Sequence, residues 1–220
     1  MCTSLAIRDV TGSVYFGRTL ELTVSLPYHV IFTPPRNVFL SHVEGYSDLS
    51  FAAERSFISV SVPARPPAEG APPTVADMKV LEGLNTAGLT FSLLSYPAAG
   101  GKRQAIDVTK AVLSASDLGS WVLGQFASVA ETKDALARQP VLLEPLAVLG
   151  GVESPFHYVV HDTTGASLVI EFEGGEMRLH DNPVGVMTNG PSFGWHLTNL
   201  DNYTFLTNVD RSTATFGGYQ

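Results

Sequence analysis

Cys2 is the residue with the clearest chemical potential in the chain, because it is the only cysteine among 220 residues and directly follows Met1. A single cysteine excludes an internal disulfide framework and a metal site built on several thiolates. If Met1 is removed, a thiol and a free α-amino group lie on one residue. Such an amine, with a reference pKa of roughly 7.7–8.0, can take the thiol proton near neutral pH. The sequence therefore predicts an N-terminal nucleophile that supplies its own base.

A rival nucleophile is Ser192, which lies in the pattern G-x-S-x-G formed by residues 190–194. A serine hydrolase of that type needs an acid and then a histidine after the serine. Only His196 follows, four residues on, which is too close to fulfil that role. The pattern therefore favours Ser192 as the cap of a helix that begins after it.

The sequence carries no convincing signal for a metal or a cofactor. His157 and His161 are four residues apart, but on a predicted strand that spacing separates them by about 13 Å. Residues 100–102 (GGK) lack the remaining positions of a phosphate-binding loop. We expect an activity that needs neither a metal nor a cofactor.

The elements that would position Cys2 are mainly antiparallel strands. Residues 3–8 and 13–18 flank the turn DVTG at 9–12 and predict an N-terminal hairpin. Further strand-like runs cover residues 28–33, 57–62, 89–94, 156–161, 167–172, 176–180 and 185–188, the last four forming a predicted meander. Turns are predicted at residues 83–88, and the proline-rich residues 63–73 read as an exposed loop because proline removes ladder donors.

Helical patterns occupy the middle of the chain and its C-terminal part. One helix is predicted to begin at Asp117. A second helix begins with the capping signature at Ser128 and runs through Arg138, and a third covers residues 192–203. Strands, then helices, then strands indicate an α+β fold with antiparallel sheets covered by helices. No element is evident in residues 212–220, so the chain looks cut short at its end.

Composition limits the classes of function. A length of 220 residues with 45% hydrophobic content predicts one domain over residues 1–220. The net charge of −8 without a basic stretch argues against a nucleic-acid partner. No window approaches the roughly 18 apolar residues that span a membrane, and no leader pattern is evident. We expect a cytoplasmic protein, or a periplasmic one if Met1 replaces a removed signal.

Four short blocks occur along the chain in a characteristic order. They are residues 1–4 (MCTS), 16–21 (FGRTLE), 85–89 (NTAGL) and 187–196 (MTNGPSFGWH), followed by Asn199 and Leu200. In this order they resemble the choloylglycine hydrolase and penicillin V acylase family of N-terminal nucleophile (Ntn) hydrolases. The resemblance runs over essentially the whole chain, with the Cys2 start and the Thr-Asn-x-Pro-x-Phe-x-Trp block as its specific signals. It implies a four-layer αββα sandwich.

Carried over to the matching positions, the resemblance makes Cys2 both nucleophile and base and places Arg18 beside the thiolate as a stabilising cation. Asn189 matches an asparagine whose side chain donates to the oxyanion, a role worth roughly 2.7–4 kcal/mol. The second donor is a backbone N–H near Ser95 or Tyr96. The residues alone leave open that Arg18 is an ion-pair partner at a strand end and that Asn189 is a turn residue.

Two positions depart from the family pattern. Glu21 stands where the family usually has an aspartate that holds the amine of the nucleophile, and one extra methylene could shift that geometry. An arginine that completes the family's site further along the chain has no match here. The resemblance therefore implies a domain that lacks the family's C-terminal part.

These observations predict a cofactor-free amidase that acts through a thioester at Cys2. By resemblance, its substrates would be conjugated bile salts, penicillin V or N-acyl homoserine lactones. Apolar side chains from residues 22–32, 84–96 and 193–195 could line the acyl pocket.

Family members often form tetramers. The alternative is a catalytically inactive, truncated member that binds a ligand or partner.

Overall fold

Strands dominate the computed structural model, which describes residues 2–21, 26–65, 73–102, 105–207 and 209. In chain order the strands are β1 (Thr3–Arg8), β2 (Val14–Thr19), β3 (His29–Thr33), β4 (Val38–Ser41), β5 (Ser47–Ala52), β6 (Phe57–Pro63), β7 (Met78–Asn85), β8 (Thr90–Ser95), β9 (Ala111–Ser114), β10 (Val141–Leu142), β11 (Pro145–Leu146), β12 (Val152–Glu153), β13 (Phe156–His161), β14 (Ser167–Glu173), β15 (Glu176–Asp181) and β16 (Val186–Thr188). The helices are α1 (Leu118–Gln125), α2 (Val129–Leu136) and α3 (Phe193–Leu200).

The largest sheet has seven strands in the order β15-β14-β13-β8-β7-β6-β3, and all neighbouring strands are antiparallel. Its central strands β8, β13 and β14 are buried almost throughout. They consist mainly of β-branched, aromatic and leucine residues, which suit a strand covered on both faces. The sheet therefore forms an inner layer of the fold.

Helices α1 and α2 cover one face of this sheet. Residues Leu118 to Gly124 of α1 are all buried. The helix approaches β7 closely because Gly119 has no Cβ, and a Cβ built there would lie 2.6 Å from the Cβ of Val80. A smaller sheet in the order β10-β9-β5-β4 contributes to the same core cluster.

The two predicted helix caps differ in the structure. Ser128 caps α2 as predicted, since its hydroxyl accepts the N–H of Glu131 over 3.2 Å. Ser192 occupies the cap position of α3 but makes no side-chain cap hydrogen bond. The N–H of Phe193 donates instead to the Glu171 carboxylate from β14. The start of α3 is thus held by another strand rather than by its own cap.

A three-stranded sheet in the order β16-β1-β2 packs on the other face of the large sheet. The β1–β2 hairpin is confirmed. At its turn the Asp9 side chain accepts the N–H groups of Thr11 and Ser13 over 2.8 and 2.9 Å, and Gly12 adopts a φ of +90°. These local hydrogen bonds explain why the hairpin is predictable from the sequence.

The predicted meander is wrong at its last strand. Residues 185–188 leave the large sheet, and β16 pairs with β1, placing Met187 opposite Ser4. The crossing is stabilised by Asn182, whose Oδ1 accepts the N–H of Gly185 over 3.1 Å. A short strand pattern does not reveal its partner, because the pairing is formed over nearly the whole length of the chain.

The predicted turn at residues 83–88 is shorter than expected. Gly83 lies inside β7, and the turn begins at Asn85, whose carbonyl accepts the N–H of Gly88 over 3.0 Å. Met1, most of the proline-rich residues 63–73 and residues 212–220 lie outside the described residues. Among those described, no helix is long and apolar enough to span a membrane.

Candidate active site

Cys2 directly precedes β1 and has only 1% of its surface exposed. The N–H of Glu21 points at its sulfur, with 3.4 Å between N and Sγ, and the Glu21 carbonyl lies 3.6 Å from the same sulfur. On the other side, the Thr188 hydroxyl donates to the Cys2 carbonyl over 2.8 Å. The nucleophile predicted from the sequence is therefore held between the ends of β2 and β16.

Strand register places Arg18 on the sheet face that also carries Cys2. Ser4 lies opposite Arg18 in β2, and Cys2 precedes Ser4 by two residues. Because side chains alternate along a strand, the side chains at positions 2, 4 and 18 share one face. Ser4 is fully buried and its Oγ lies 3.3 Å from Oγ of Ser92, so this face is turned toward the large sheet.

The Arg18 guanidinium is fully buried and joins the two sheets. Its Nη1 donates to the Leu81 carbonyl over 3.1 Å and to Glu82 over 3.0 Å, and its Nη2 donates to the Leu93 carbonyl. Within the described residues, its Nε has no hydrogen-bond partner. The ion pair considered from the sequence is thus present, and its effect on the Cys2 sulfur stays a prediction.

Asn189 follows β16 and is oriented by β8. Its Oδ1 accepts the Ser95 N–H over 3.0 Å, and the Gly190 N–H donates to the Ser95 carbonyl over 2.8 Å. A backbone N–H can only donate, so its partner on Asn189 must be the oxygen. This orientation turns the two N–H bonds of Nδ2 away from Ser95, as an oxyanion donor requires.

The backbone positions considered as a second oxyanion donor are both engaged. The Ser95 N–H donates to Asn189, and the Tyr96 N–H donates to the Pro155 carbonyl over 2.7 Å. In this arrangement Ser95 orients the side-chain donor instead. The second donor remains a prediction, as does the role of the exposed Glu21 side chain, and the backbone N–H of Glu21 is the group seen to meet the sulfur.

Comparison with known proteins identifies the fold family. A profile described as linear amide C–N hydrolases, choloylglycine hydrolase family, matches residues 2–220. The chain belongs to the choloylglycine hydrolase family. The match includes the three segments that carry Cys2, Arg18 and Asn189, in the order that the sequence blocks indicate.

Individual relatives agree with this assignment. The conjugated bile acid hydrolase of Lactobacillus acidophilus is 31% identical over 219 residues, which cover 99% of this chain and 64% of that protein. A mutant conjugated bile acid hydrolase from Clostridium perfringens superposes with a TM-score of 0.78 at 25% identity, over 99% of this chain and 62% of that one. Penicillin V acylase from Agrobacterium tumefaciens shares the fold, with a TM-score of 0.74 at 19% identity over 94% of this chain and 58% of that one.

These comparisons confirm the predicted Ntn-hydrolase αββα fold with antiparallel sheets. The chain spans less than two thirds of the length of the relatives that it matches. That the chain forms a single domain lacking a C-terminal part stays a prediction.

Two buried residues beside the candidate site, His157 and Glu171, had no catalytic part in the sequence-based predictions. His157 was considered only as a metal ligand, and Glu171 was not considered. His157 on β13 and Glu171 on β14 are completely buried, and Nδ1 of His157 lies 2.8 Å from Oε1 of Glu171. The pair contacts Thr188 and Phe193, on either side of Asn189. The only signal in the sequence is a histidine and a glutamate inside apolar strand runs, where a charged residue is unusual.

His161, on the same strand, lies under β1. Its Nε2 is 3.2 Å from the Ser4 hydroxyl, and burial lowers the pKa of His161 to about 4, partly opposed by the Asp162 carboxylate. The imidazole is therefore neutral in the folded protein near neutral pH. It packs beside the Phe16 ring, with centroids 5.9 Å apart, and no role in catalysis is required of it.

Glu171, Glu173 and His180 place one ligand atom each within 4.8 Å of one another. Both Glu171 oxygens, however, already accept the Phe193 N–H, over 2.9 and 3.1 Å. His180 is partly exposed. We therefore assign no metal to this group.

A cavity of about 750 Å³ borders the strands that hold Arg18, but neither Cys2, Arg18 nor Asn189 lines it. Leu81 and Leu93, whose carbonyls hold Arg18, contribute to its wall, as does Pro155, whose carbonyl holds Tyr96. Leu26 and Leu93 belong to the stretches expected to line an acyl pocket. Phe193 does not line the cavity. It is buried in a small cluster of six residues between the sheets: Cys2, Leu94, Val159, Val169, Met187 and Phe193.

Proposed function

We propose that the protein hydrolyses linear amides with Cys2 as an N-terminal nucleophile. The observation that carries the proposal is the meeting of Cys2 and Asn189 at one end of the three-stranded sheet, with the Asn189 amide oriented by Ser95. Membership of a family of linear amide C–N hydrolases supports the reaction class.

In the proposed reaction the α-amine takes the thiol proton, and the thiolate attacks the amide carbon. A C–S bond forms while the carbonyl electron pair moves to oxygen, where Nδ2 of Asn189 donates to the developing charge. Collapse of this intermediate breaks the C–N bond, and the leaving amine takes the proton from the α-amine. Water then hydrolyses the thioester, returning the thiol and releasing the acid. One donor of this kind typically contributes roughly 2.7–4 kcal/mol.

Substrates with a bulky, largely apolar acyl group fit the proposal. The cavity of about 750 Å³ has Leu26, Leu81 and Leu93 on its wall, and pockets for small molecules usually measure roughly 300–1,000 Å³. Relatives are named for conjugated bile acids and for penicillin V. We propose conjugated bile salts, penicillin V and N-acyl homoserine lactones as candidates.

The test is release of amine from glycocholate, taurocholate, phenoxymethylpenicillin and an N-acyl homoserine lactone, after intact mass has established removal of Met1. Cys2→Ala should abolish release, and Ser192→Ala should retain it, because the G-x-S-x-G pattern that contains Ser192 cannot form the catalytic site of a serine hydrolase. Release that depends on Ser192 and not on Cys2 would overturn the proposal. The substrate that is cleaved identifies the acyl class.

A non-catalytic relative is the second candidate, favoured by exposed apolar side chains in β3, β6 and β7. Val30, Phe32, Ile58 and Leu84 are all at least 44% exposed. Broad unfolding with dye-binding apolar surface would favour this candidate, and one sharp transition would favour a complete active domain.

Light scattering tests the expected tetramer, and cell fractionation tests the expected cytoplasmic location.

A further inference from the structure

His157 and Glu171 together hold both ends of the segment that contains Asn189. Nε2 of His157 donates to the Thr188 carbonyl over 2.8 Å, one residue before Asn189. Glu171 accepts the N–H of Phe193 over 2.9 Å, four residues after Asn189. Both side chains are completely buried, so water does not replace either contact.

The groups at the two ends of the hydrogen-bond chain have fixed roles. The Thr188 carbonyl can only accept, so Nε2 of His157 carries a hydrogen. Since Nδ1 lies 2.8 Å from Oε1 of Glu171, a second hydrogen lies between these atoms, whichever group formally holds it. The chain runs from the Thr188 carbonyl through His157 and Glu171 to the N–H of Phe193.

The same pair also packs against the strand that orients Asn189. The Tyr96 ring stacks on the His157 ring with centroids 4.9 Å apart and an interplanar angle of 7°. Tyr96 directly follows Ser95, whose N–H binds Oδ1 of Asn189. The pair therefore contacts both the segment that bears Asn189 and the strand end that orients its side chain.

We propose that His157 and Glu171 are positioning residues for the oxyanion donor Asn189. The pair does not touch the substrate in this account. It keeps Asn189 against Ser95, so that Nδ2 stays directed at the carbonyl oxygen of the substrate. The catalytic meaning of this inference rests on the proposed amidase function, whereas the positioning itself is a property of the folded chain.

Amide hydrogen exchange of Ser95 tests the positioning without any turnover. In His157→Phe, the Ser95 N–H should exchange at least about 10-fold faster, because Asn189 is no longer held. Glu171→Gln should keep Ser95 protected, since glutamine can accept the Phe193 N–H and donate to His157. Glu171→Ala should lose that protection. His161→Phe is the matched control, as it removes a buried histidine from the same strand without touching this segment.

Kinetics then tests the consequence for catalysis. His157→Phe should lower kcat by roughly 10- to 100-fold with little change in KM, because the misplaced donor acts in the transition state. Alkylation of Cys2 needs no oxyanion donor and should proceed at an unchanged rate. If His157 and Glu171 only supported the fold, His157→Phe would slow alkylation and turnover together. Glu171→Gln would then lower kcat as much as Glu171→Ala does.

The inference is overturned if Ser95 stays protected in folded His157→Phe, or if His161→Phe exposes Ser95 equally. Should His157→Phe fail to fold, the contrast between Glu171→Ala and Glu171→Gln decides the question. A wild-type protein that cleaves no amide would refute the proposed function, while the exchange result would still decide the positioning role.

Discussion

The N–H of Ser95 donates to Oδ1 of Asn189 over 3.0 Å, which assigns the two ends of this side-chain amide to different tasks. The oxygen anchors the side chain to the end of β8, and the nitrogen is available to a substrate. This division makes it possible to remove the proposed catalytic donor without removing the anchor.

Asn189→Asp is the variant that separates these tasks. Aspartate keeps an oxygen for the Ser95 N–H but offers no N–H to the oxyanion. We expect kcat to fall by roughly 10²–10³-fold, as it does when such a donor is removed. Asn189→Ala should lose as much activity but also the protection of the Ser95 amide from exchange. Wild-type turnover by Asn189→Asp would show that Nδ2 is not the donor.

Loss of the Arg18 guanidinium should destabilise the protein. Arg18→Met leaves Glu82 without its cation and the carbonyls of Leu81 and Leu93 without their donor. Removing one partner of a buried pair typically costs about 3 kcal/mol or more. Glu82→Gln should cost only about 1 kcal/mol, because the amide still accepts a hydrogen bond and the Glu82 side chain is 24% exposed.

Urea unfolding of both variants at one pH measures these costs. Equal stability of Arg18→Met and the wild-type protein would contradict the view that Arg18 joins the two sheets.

The free energy of unfolding should depend on pH through His161. Its pKa is lowered from 6.5 to about 4 in the folded protein, first by burial, with partial opposition from Asp162. Between these values the unfolded chain binds a proton that the folded protein excludes. Stability is therefore lost as the pH falls from about 6.5 to about 4, by an amount on the order of 3 kcal/mol.

Urea unfolding over that pH range should give a flatter profile for His161→Phe than for the wild-type protein. His29→Gln serves as the control, since His29 is exposed and should keep the wild-type slope. Parallel profiles for wild type and His161→Phe would contradict this origin of the pH dependence.

Gly119 should tolerate substitution far less well than Gly124 in the same helix. A Cβ at Gly119 would lie 2.6 Å from the Cβ of Val80, whereas one at Gly124 would lie 3.4 Å from Ala53. Overpacking costs typically about 1–3 kcal/mol, so Gly119→Ala should be destabilised. Gly124→Ala should be neutral or gain up to about 1 kcal/mol from helix propensity. Thermal unfolding compares the two, and equal midpoints would contradict the close contact between α1 and β7.

Local sequence patterns predicted the elements whose stabilising contacts are themselves local. The hairpin turn at Asp9 and the Ser128 cap involve residues within four positions of each other, so their hydrogen bonds are encoded in short stretches. The partner of β16 is not encoded in this way, because it lies at the other end of the chain.

The candidate site likewise has residues that the sequence predicts and contacts that it does not. The blocks around Cys2, Arg18 and Asn189 are visible in the sequence because their residue types and order are characteristic of the family. The contacts that orient them were not predicted: the Ser95 N–H, the Glu82 carboxylate and the pair of His157 and Glu171 all lie on other strands. They follow from the packing of two sheets, which no single stretch of sequence describes.

The most direct test of the central claim is to trap the acyl-enzyme. The protein, with Met1 removed, is mixed with a cleaved substrate, quenched in acid within the first turnover and digested for mass spectrometry. We expect the N-terminal peptide to gain the mass of the acyl group at Cys2 as a thioester that hydroxylamine removes, and to gain nothing in Cys2→Ala. Amide cleavage without an adduct on Cys2, or cleavage retained in Cys2→Ala, would contradict the proposed mechanism.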